Sequence, residues 1–306
     1  MTKHLLFCAD EHVLFRRKGV PADFEKLRYS QLFDQLLNLS ASSSCVAVCH
    51  GGDCFDRAPT IQETALVVRY LNAVIKPTYI ISGNHEQIKK DTTFLSELSN
   101  MVSNPLVTII SDFATYNIAN IAIDFIPFNR LKQFEKEGNT DLNSKLLVTH
   151  VRGEIPPHIT PEVDLSIFDR WKLVLAGDLH SHSNSQRNIV YPGSPLTTSF
   201  YRNKPKKGIL KVDLDTLSVD FIDLNLPALL KLTVESKDDI VENTSQDFIA
   251  YDIVPKVEAI IEAKEDTVFH KEASREAAIL AVLETTEAKK QEVIQLYVDI
   301  TRNRGY

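Results

Sequence analysis

Five short apolar runs in this chain each end in a group of Asp, Asn or His residues. That repetition constrains the fold more than any other feature. HLLFCA (4–9) is followed by Asp10-Glu11-His12, and CVAVCH (45–50) by Gly51-Gly52-Asp53-Cys54-Phe55-Asp56-Arg57. TYIIS (78–82) runs into Gly83-Asn84-His85-Glu86. KLLVT (145–149) meets His150, and KLVLA (172–176) meets Gly177-Asp178-Leu179-His180. Continuous apolar runs of this length suit strands buried on both faces. Open α/β sheets place their ligand sites just past the carboxyl ends of such strands.

The segments between the runs support an α/β class. Phe24, Leu27, Leu32, Phe33, Leu36 and Leu37 recur at roughly helical spacing, and Ile61 to Ile75 reads as a second helix stopped near Pro77. The first third is therefore βαβαβ. Further strands are expected at 106–110, 121–126, 208–213 and 217–223, the last two joined by a tight hairpin at Asp215-Thr216. LNLPALL (224–230) reads as the opening of a linker. The expected division is a main domain at 1–225, a small capping-type region at 226–270 and a helical segment at 271–306. Residues 271–302 lack Pro and Gly and are rich in Ala, Glu and Lys, as one long helix or two broken near Thr285-Thr286.

Composition removes several classes. With 43% hydrophobic and 25% charged residues among 306, the chain reads as globular and too apolar for disorder. A formal net charge of −7 argues against a DNA binder working by bulk positive charge and leaves room for a local basic patch or a basic partner. No apolar run approaches the roughly 18 residues of a membrane span. The apolar start closes at Asp10, short of the about 7–15 residues of a secretory core. A cytoplasmic protein is expected, with Cys8, Cys45, Cys49 and Cys54 as reduced core thiols.

Asp, Asn and His together bind divalent ions of intermediate hardness such as Mn²⁺, Fe²⁺ or Zn²⁺. Seven such donors are too many for one tetrahedral ion and suit two ions sharing a carboxylate. Two metals about 3.5–4 Å apart can clamp a phosphoryl group and activate water. Each motif alone has an ordinary structural explanation: Gly83-Asn84 suits a turn, and Gly-Asp-x-x-Asp a helix N-cap. Five of them in order at strand ends do not.

The order D-x-H, G-D-x-x-D, G-N-H-[DE], lone His and G-H-x-H resembles that of the calcineurin-like metallophosphoesterase superfamily, over residues 5 to about 200. The resemblance implies a sandwich of two mixed β-sheets flanked by helices, with a small C-terminal α+β or helical appendage. Gly52 to Pro59 resembles the G-D-x-F-D-R-x-x-P stretch of the SbcD-type DNA repair nucleases. Tyr191 to Phe200 is similar to their P-G-S-x-x-x-T-S-[LF] segment, and Lys207-Gly208 leads into a hairpin as it does there. The chain is short for a cellular member, which favours a compact bacteriophage nuclease subunit.

Carried over residue by residue, the resemblance puts one metal on Asp10, His12, Asp53 and His180, and a second on Asp53, Asn84, His150 and Asp178, with Asp53 bridging. Mn²⁺ is the preferred ion; Mg²⁺, Fe²⁺ and Zn²⁺ are alternatives. Water activated there attacks phosphorus in line, and His85 stabilises charge or protonates the leaving oxygen. Asp56 orients a ligand or His85, while Arg57 meets a phosphate or pairs with a carboxylate. Asp178 departs from the pattern, which has His there, and the change favours harder ions. A second register would use His180 and His182 as the H-x-H pair; otherwise His182 is a surface residue or a DNA contact. His4 and His270 read as solvent-facing, His50 as a strand end and His158 as a loop residue.

Arg16, Arg17 and Lys18, and Arg202, Lys204, Lys206 and Lys207, are either DNA contacts or solvated charge. Alone they would bind DNA weakly and with strong salt dependence. The resemblance implies an SbcC-type coiled-coil ATPase partner, with a homodimer also common in the family and no membrane association. Ile279, Leu280, Leu283, Val293, Ile294, Leu296, Tyr297 and Ile300 form apolar stripes at helical spacing, for that partner or for this chain's own core. The expected function is a two-metal DNA nuclease subunit, a 3′-to-5′ exonuclease on duplex DNA with endonuclease activity left open, in repair, recombination or phage DNA metabolism. The rival readings are a phosphomonoesterase or nucleotide phosphodiesterase on the same scaffold, and a non-catalytic scaffold with a decayed metal site.

Overall fold

The computed structural model describes residues 2–89 and 92–254. The expected helical segment at 271–306, its apolar stripes, His270 and part of the capping-type region lie outside the described residues. In chain order the elements begin β1 (His4–Cys8), α1 (Ala22–Ser40), β2 (Cys45–His50), α2 (Ile61–Ala73) and β3 (Thr78–Ile81). A short pair, β4 (Gln87–Lys89) and β5 (Thr92–Thr93), precedes α3 (Phe94–Leu98). Then come β6 (Val107–Ile110), β7 (Ala114–Ile118), β8 (Ile121–Ile126), α4 (Leu131–Glu137), β9 (Leu146–His150), β10 (Leu173–Gly177) and β11 (Ile189–Val190). The hairpin β12 (Gly208–Asp213) and β13 (Val219–Asp223) follows, then β14 (Leu229–Val234) and β15 (Phe248–Ile253).

Two mixed sheets carry the fold. The first has the order β13-β12-β1-β2-β3-β6, parallel from β1 to β6 and antiparallel at β12 and β13. The second has the order β11-β10-β9-β8-β7, parallel except for β7. Alternation along each strand assigns its side chains to two cores. Leu5 and Phe7 of β1 face Phe125, Val148 and Leu175 of the second sheet, and this shared core joins the sheets. Leu6 and Cys8 point the other way, onto Leu32, Phe33 and Leu36 of α1 and Val67 and Leu71 of α2. On the outer face of the second sheet, Leu147 and Val174 pack with Phe134, Phe168 and Trp171. The expected sandwich of two mixed sheets flanked by helices is therefore the observed architecture.

All four cysteines are free and buried, as expected of core thiols. His4 is buried in β1, at 7% exposure, and not solvent-facing; neighbouring strands β2 and β12 cover it. The segment 224–230 does not behave as a linker, because Leu224, Leu226, Ala228 and Leu229 are all buried. The compact unit runs through Met1–Leu232 and takes up Glu242–Tyr251. A second unit contains Thr233–Val241. Among the described residues no helix is long and apolar enough to cross a membrane.

Candidate metal centre

The loops after β1, β2, β3, β9 and β10 meet at one edge of the two sheets. The first two run side by side: the amides of Asp10, His12 and Val13 donate to the carbonyls of Gly52, Asp53 and Cys54. Asp10, His12 and Asp53 all hold left-handed backbone conformations (φ 58°, 48° and 55°), which turn successive side chains to one side. Gly52 has φ 93°, and a Cβ there would lie 2.6 Å from the Gly83 nitrogen and 2.7 Å from His150 Nδ1. Only glycine lets three of these loops approach so closely.

Glu86 fastens two of the loops. Its buried carboxylate accepts from the amides of Asp53 (2.9 Å), Phe55 (2.9 Å) and Gly83 (2.8 Å). Below the first loop, Glu11 Oε1 lies 2.6 Å from His50 Nδ1, and His50 Nε2 lies 2.9 Å from the Tyr70 hydroxyl. His50 does end its strand, and it also braces the Asp-x-His loop from beneath. The Tyr29 hydroxyl of α1 donates to the His12 carbonyl.

The predicted donors converge on Asp53. Its Oδ2 lies 3.6 Å from His12 Nε2, 3.6 Å from His150 Nε2 and 3.9 Å from His85 Nε2. His12 Nε2 and His180 Nε2 face each other at 2.9 Å, and Asp10, His12 and His180 each bring a donor atom within 4.8 Å of the others. Asp10, Asp53 and His150 form a second such group. Asn84 Oδ1 is 2.9 Å and Asp178 Oδ1 is 3.9 Å from His150 Nε2. The His150 Nδ1–H donates to the Gly51 carbonyl (2.8 Å), which leaves Nε2 for the site. His85 Nδ1 donates to the Asp56 carbonyl in the same way.

Mutual charge sets the ionisation of this cluster. Burial disfavours the His150 cation, but Asp53, Asp10 and Asp178 outweigh it and raise its pKa to about 9. Burial likewise opposes the His12 cation, and Asp56, Asp53 and Asp10 reverse the sign. His180 goes the other way, down to about 4, through burial and the nearby His12 and Lys207. Carboxylates and imidazoles brought this close, with two imidazole nitrogens face to face, are a donor set that fits two divalent cations. Asp10 is common to both groups, and Asn84 and Asp178 border the second one through His150 Nε2.

Other expectations change on the structure. Asp56 meets both residues expected of it: its side chain reaches His12 Nδ1 (3.5 Å) and lies near His85, and its carbonyl accepts from His85 Nδ1. Arg57 pairs with the carboxylate of Glu63 at 3.3 Å. His182 joins neither of these donor groups nor the cleft lining: its ring stacks on Phe221 and its Nδ1 donates to the Tyr191 carbonyl at 2.6 Å. Asp178, rather than His182, stands beside His150, with Oδ1 3.9 Å from Nε2. Arg17 is no DNA contact, since its guanidinium is turned inward to Glu25 (3.0 Å) and the Thr198 carbonyl. Arg16, Lys18, Arg202 and Lys206 are exposed, whereas Lys204 pairs with Asp247 at 2.8 Å. Lys207 is largely buried and donates to the His180 carbonyl at 3.0 Å. Burial pulls its pKa down to about 8.

Above the donors opens a cleft of about 620 Å³, with Asp53, Asn84, His85, Asp178 and His180 in its lining. Arg152, Ile155, His158 and Ile159, from the loop after β9, also line it. Sequence reasoning missed Arg152, which forms a two-bond pair with Asp178. It also gave Glu86 no role, although that residue closes the Gly-Asn-His-Glu motif.

The fold and this centre define a calcineurin-like phosphoesterase. The model of that family matches residues 3–206, and the chain belongs to it. The chain is 31% identical over 301 residues to the probable exonuclease subunit 1 of Escherichia phage T5, covering 96% of this chain and 91% of that one. It is 26% identical to a provisionally named phosphoesterase, 244L, of Invertebrate iridescent virus 6, over 57% of this chain and 68% of that one. Among solved structures, TT1561 of Thermus thermophilus aligns with a TM-score of 0.46 at 13% identity, over 73% of this chain and 99% of that one.

Proposed function

We propose that this chain is a two-metal-dependent DNA nuclease subunit of bacteriophage type, hydrolysing phosphodiester bonds as a 3′-to-5′ exonuclease on duplex DNA. The observation that carries the reading is the cluster of Asp, Asn and His donors in which Asp53 Oδ2 meets His12 and His150 at 3.6 Å, beneath a cleft lined by Asp53, Asn84, Asp178 and His180. Similarity to the phage T5 exonuclease subunit along nearly the whole chain favours a nuclease over a monoesterase.

Asp10, His12, Asp53 and His180 would hold one ion, and Asp53, Asn84, His150 and Asp178 the other. Bound there, the pair supplies Lewis acidity toward a phosphoryl oxygen and activation of water. Mn²⁺ suits a set of three carboxylates, an amide and three imidazoles. His85 stands beside the pair with Nε2 turned to the cleft and Nδ1 fixed by the Asp56 carbonyl. From there it hydrogen-bonds a phosphate oxygen or hands a proton to the leaving oxygen. The Gly83 and Asp53 loops, fastened by Glu86, hold these groups in place before substrate arrives. Exposed Arg16, Lys18 and Arg202 are the proposed backbone contacts to DNA, and an SbcC-type coiled-coil ATPase is the proposed partner.

The test is cleavage of end-labelled linear duplex DNA in Mn²⁺, beside a chelator control and a chromogenic phosphomonoester. Metal-dependent loss of nucleotides from the 3′ end is expected. Turnover of the monoester with intact DNA would overturn the nuclease reading in favour of a small-substrate phosphoesterase.

A further inference from the structure

The roles assigned above leave Arg152 unused. It lies two residues beyond His150, and its side chain is 45% exposed at the cleft wall. Among the described residues lining the cleft it is the only guanidinium, and no lysine accompanies it. Its Nε donates to Asp178 Oδ2 at 3.0 Å and its Nη2 to Oδ1 at 3.2 Å. That pair occupies one edge of the planar group and leaves Nη1 outside it.

The placement has a chemical reason. Asp10, Asp53 and Asp178 bring three carboxylates to a site that must admit an anion. Asp178 adds one of them where the family pattern has a neutral imidazole, and Arg152 returns a positive charge beside it. Asp178 Oδ1 is 3.9 Å from His150 Nε2, so the guanidinium stands one side chain away from the second ion position. A phosphate held against the second ion position would lie in the cleft that Arg152 borders, within reach of its guanidinium. A fixed guanidinium edge is well suited to a phosphate oxygen, and its charge makes the hydrogen bond strong.

We propose that Arg152 is a substrate-binding residue: Asp178 anchors its Nε–Nη2 edge, and Nη1 takes a non-bridging oxygen of the scissile phosphate. The inference rests on the two-metal phosphodiesterase reading and assigns Asp178 a second task, orienting the arginine as well as meeting the metal.

The test uses the full chain, with Arg152→Ala and Arg152→Lys beside the wild type. Mn²⁺ uptake is measured by calorimetric titration, and then the affinity of each Mn²⁺-loaded protein for thymidine 5′-monophosphate. All three proteins are expected to take up two ions. Arg152→Ala should bind the nucleotide about 10- to 100-fold more weakly, the range for one charge-assisted hydrogen bond, with Arg152→Lys between. Unchanged nucleotide affinity in Arg152→Ala with both ions bound overturns the proposal. Loss of an ion in Arg152→Ala also overturns it, making Arg152 a brace for the metal position. A wild type that takes up fewer than two ions contradicts the two-metal reading itself, before nucleotide is added, and the proposal falls with it.

Discussion

Asp53 faces three imidazole nitrogens within 3.9 Å through a single oxygen. Asp53→Asn keeps the shape and removes the charge, so both ion positions should weaken together in a Mn²⁺ titration. His85→Ala should behave oppositely, keeping two ions while kcat on DNA falls about 10²- to 10⁴-fold, the usual worth of a positioned acid. Glu86 belongs to structure rather than to chemistry. Its carboxylate satisfies three buried amides, and Glu86→Ala strands all three. The expected loss is about 3 kcal/mol or more, seen as a lower melting temperature in chelator, with Glu86→Gln recovering part of it.

At the scale of elements, α1 does more than cover the first sheet. Its buried Glu25 lies between Arg17 (3.0 Å) and Arg28 (3.4 Å). Arg28 donates to the Thr197 hydroxyl (3.1 Å) and carbonyl (2.9 Å), so the Pro-Gly-Ser segment is tied to this helix. Arg28→Ala leaves Glu25 short of one partner in a dry place and should cost about 3–5 kcal/mol in thermal unfolding. The strands that bear the site were legible because burial on both faces makes them continuous apolar runs. The boundaries of β2, β8 and β12 fall where those runs do. Short elements such as β4, β5 and α3 have too few residues for a period to show. Basic clusters misled for a related reason: in Arg16-Arg17-Lys18 the middle residue turns inward to a carboxylate eight positions on, which local composition does not reveal. The ligands were readable as motifs fixed to strand ends. Arg152 and the Glu11–His50 brace arise from partners on other strands, and nothing in their neighbours marks them.

For the whole molecule, the sandwich brings strand ends from two sheets to one edge and concentrates charge there. Without metal, the His150 pKa of about 9 lies above its ordinary 6.5, because nearby carboxylates outweigh burial. Between those values the folded chain holds more protons than the unfolded one, so this contribution to stability is complete below about pH 6.5 and fades as pH rises through 9. Metal must displace the same proton, so binding strengthens over the same window. The gap between Mn²⁺-loaded and chelated melting temperatures should therefore widen from pH 6.5 to 9. A constant gap would mean that His150 is not a ligand.

The most direct measurement for the central claim is the stoichiometry of Mn²⁺ bound to the full chain, in wild type and Asp53→Asn. Five strand-end loops sharing one bridging carboxylate predict two ions in the wild type and a weakening of both in the variant. A single ion, or two that survive loss of the Asp53 charge unchanged, would contradict a shared two-metal centre.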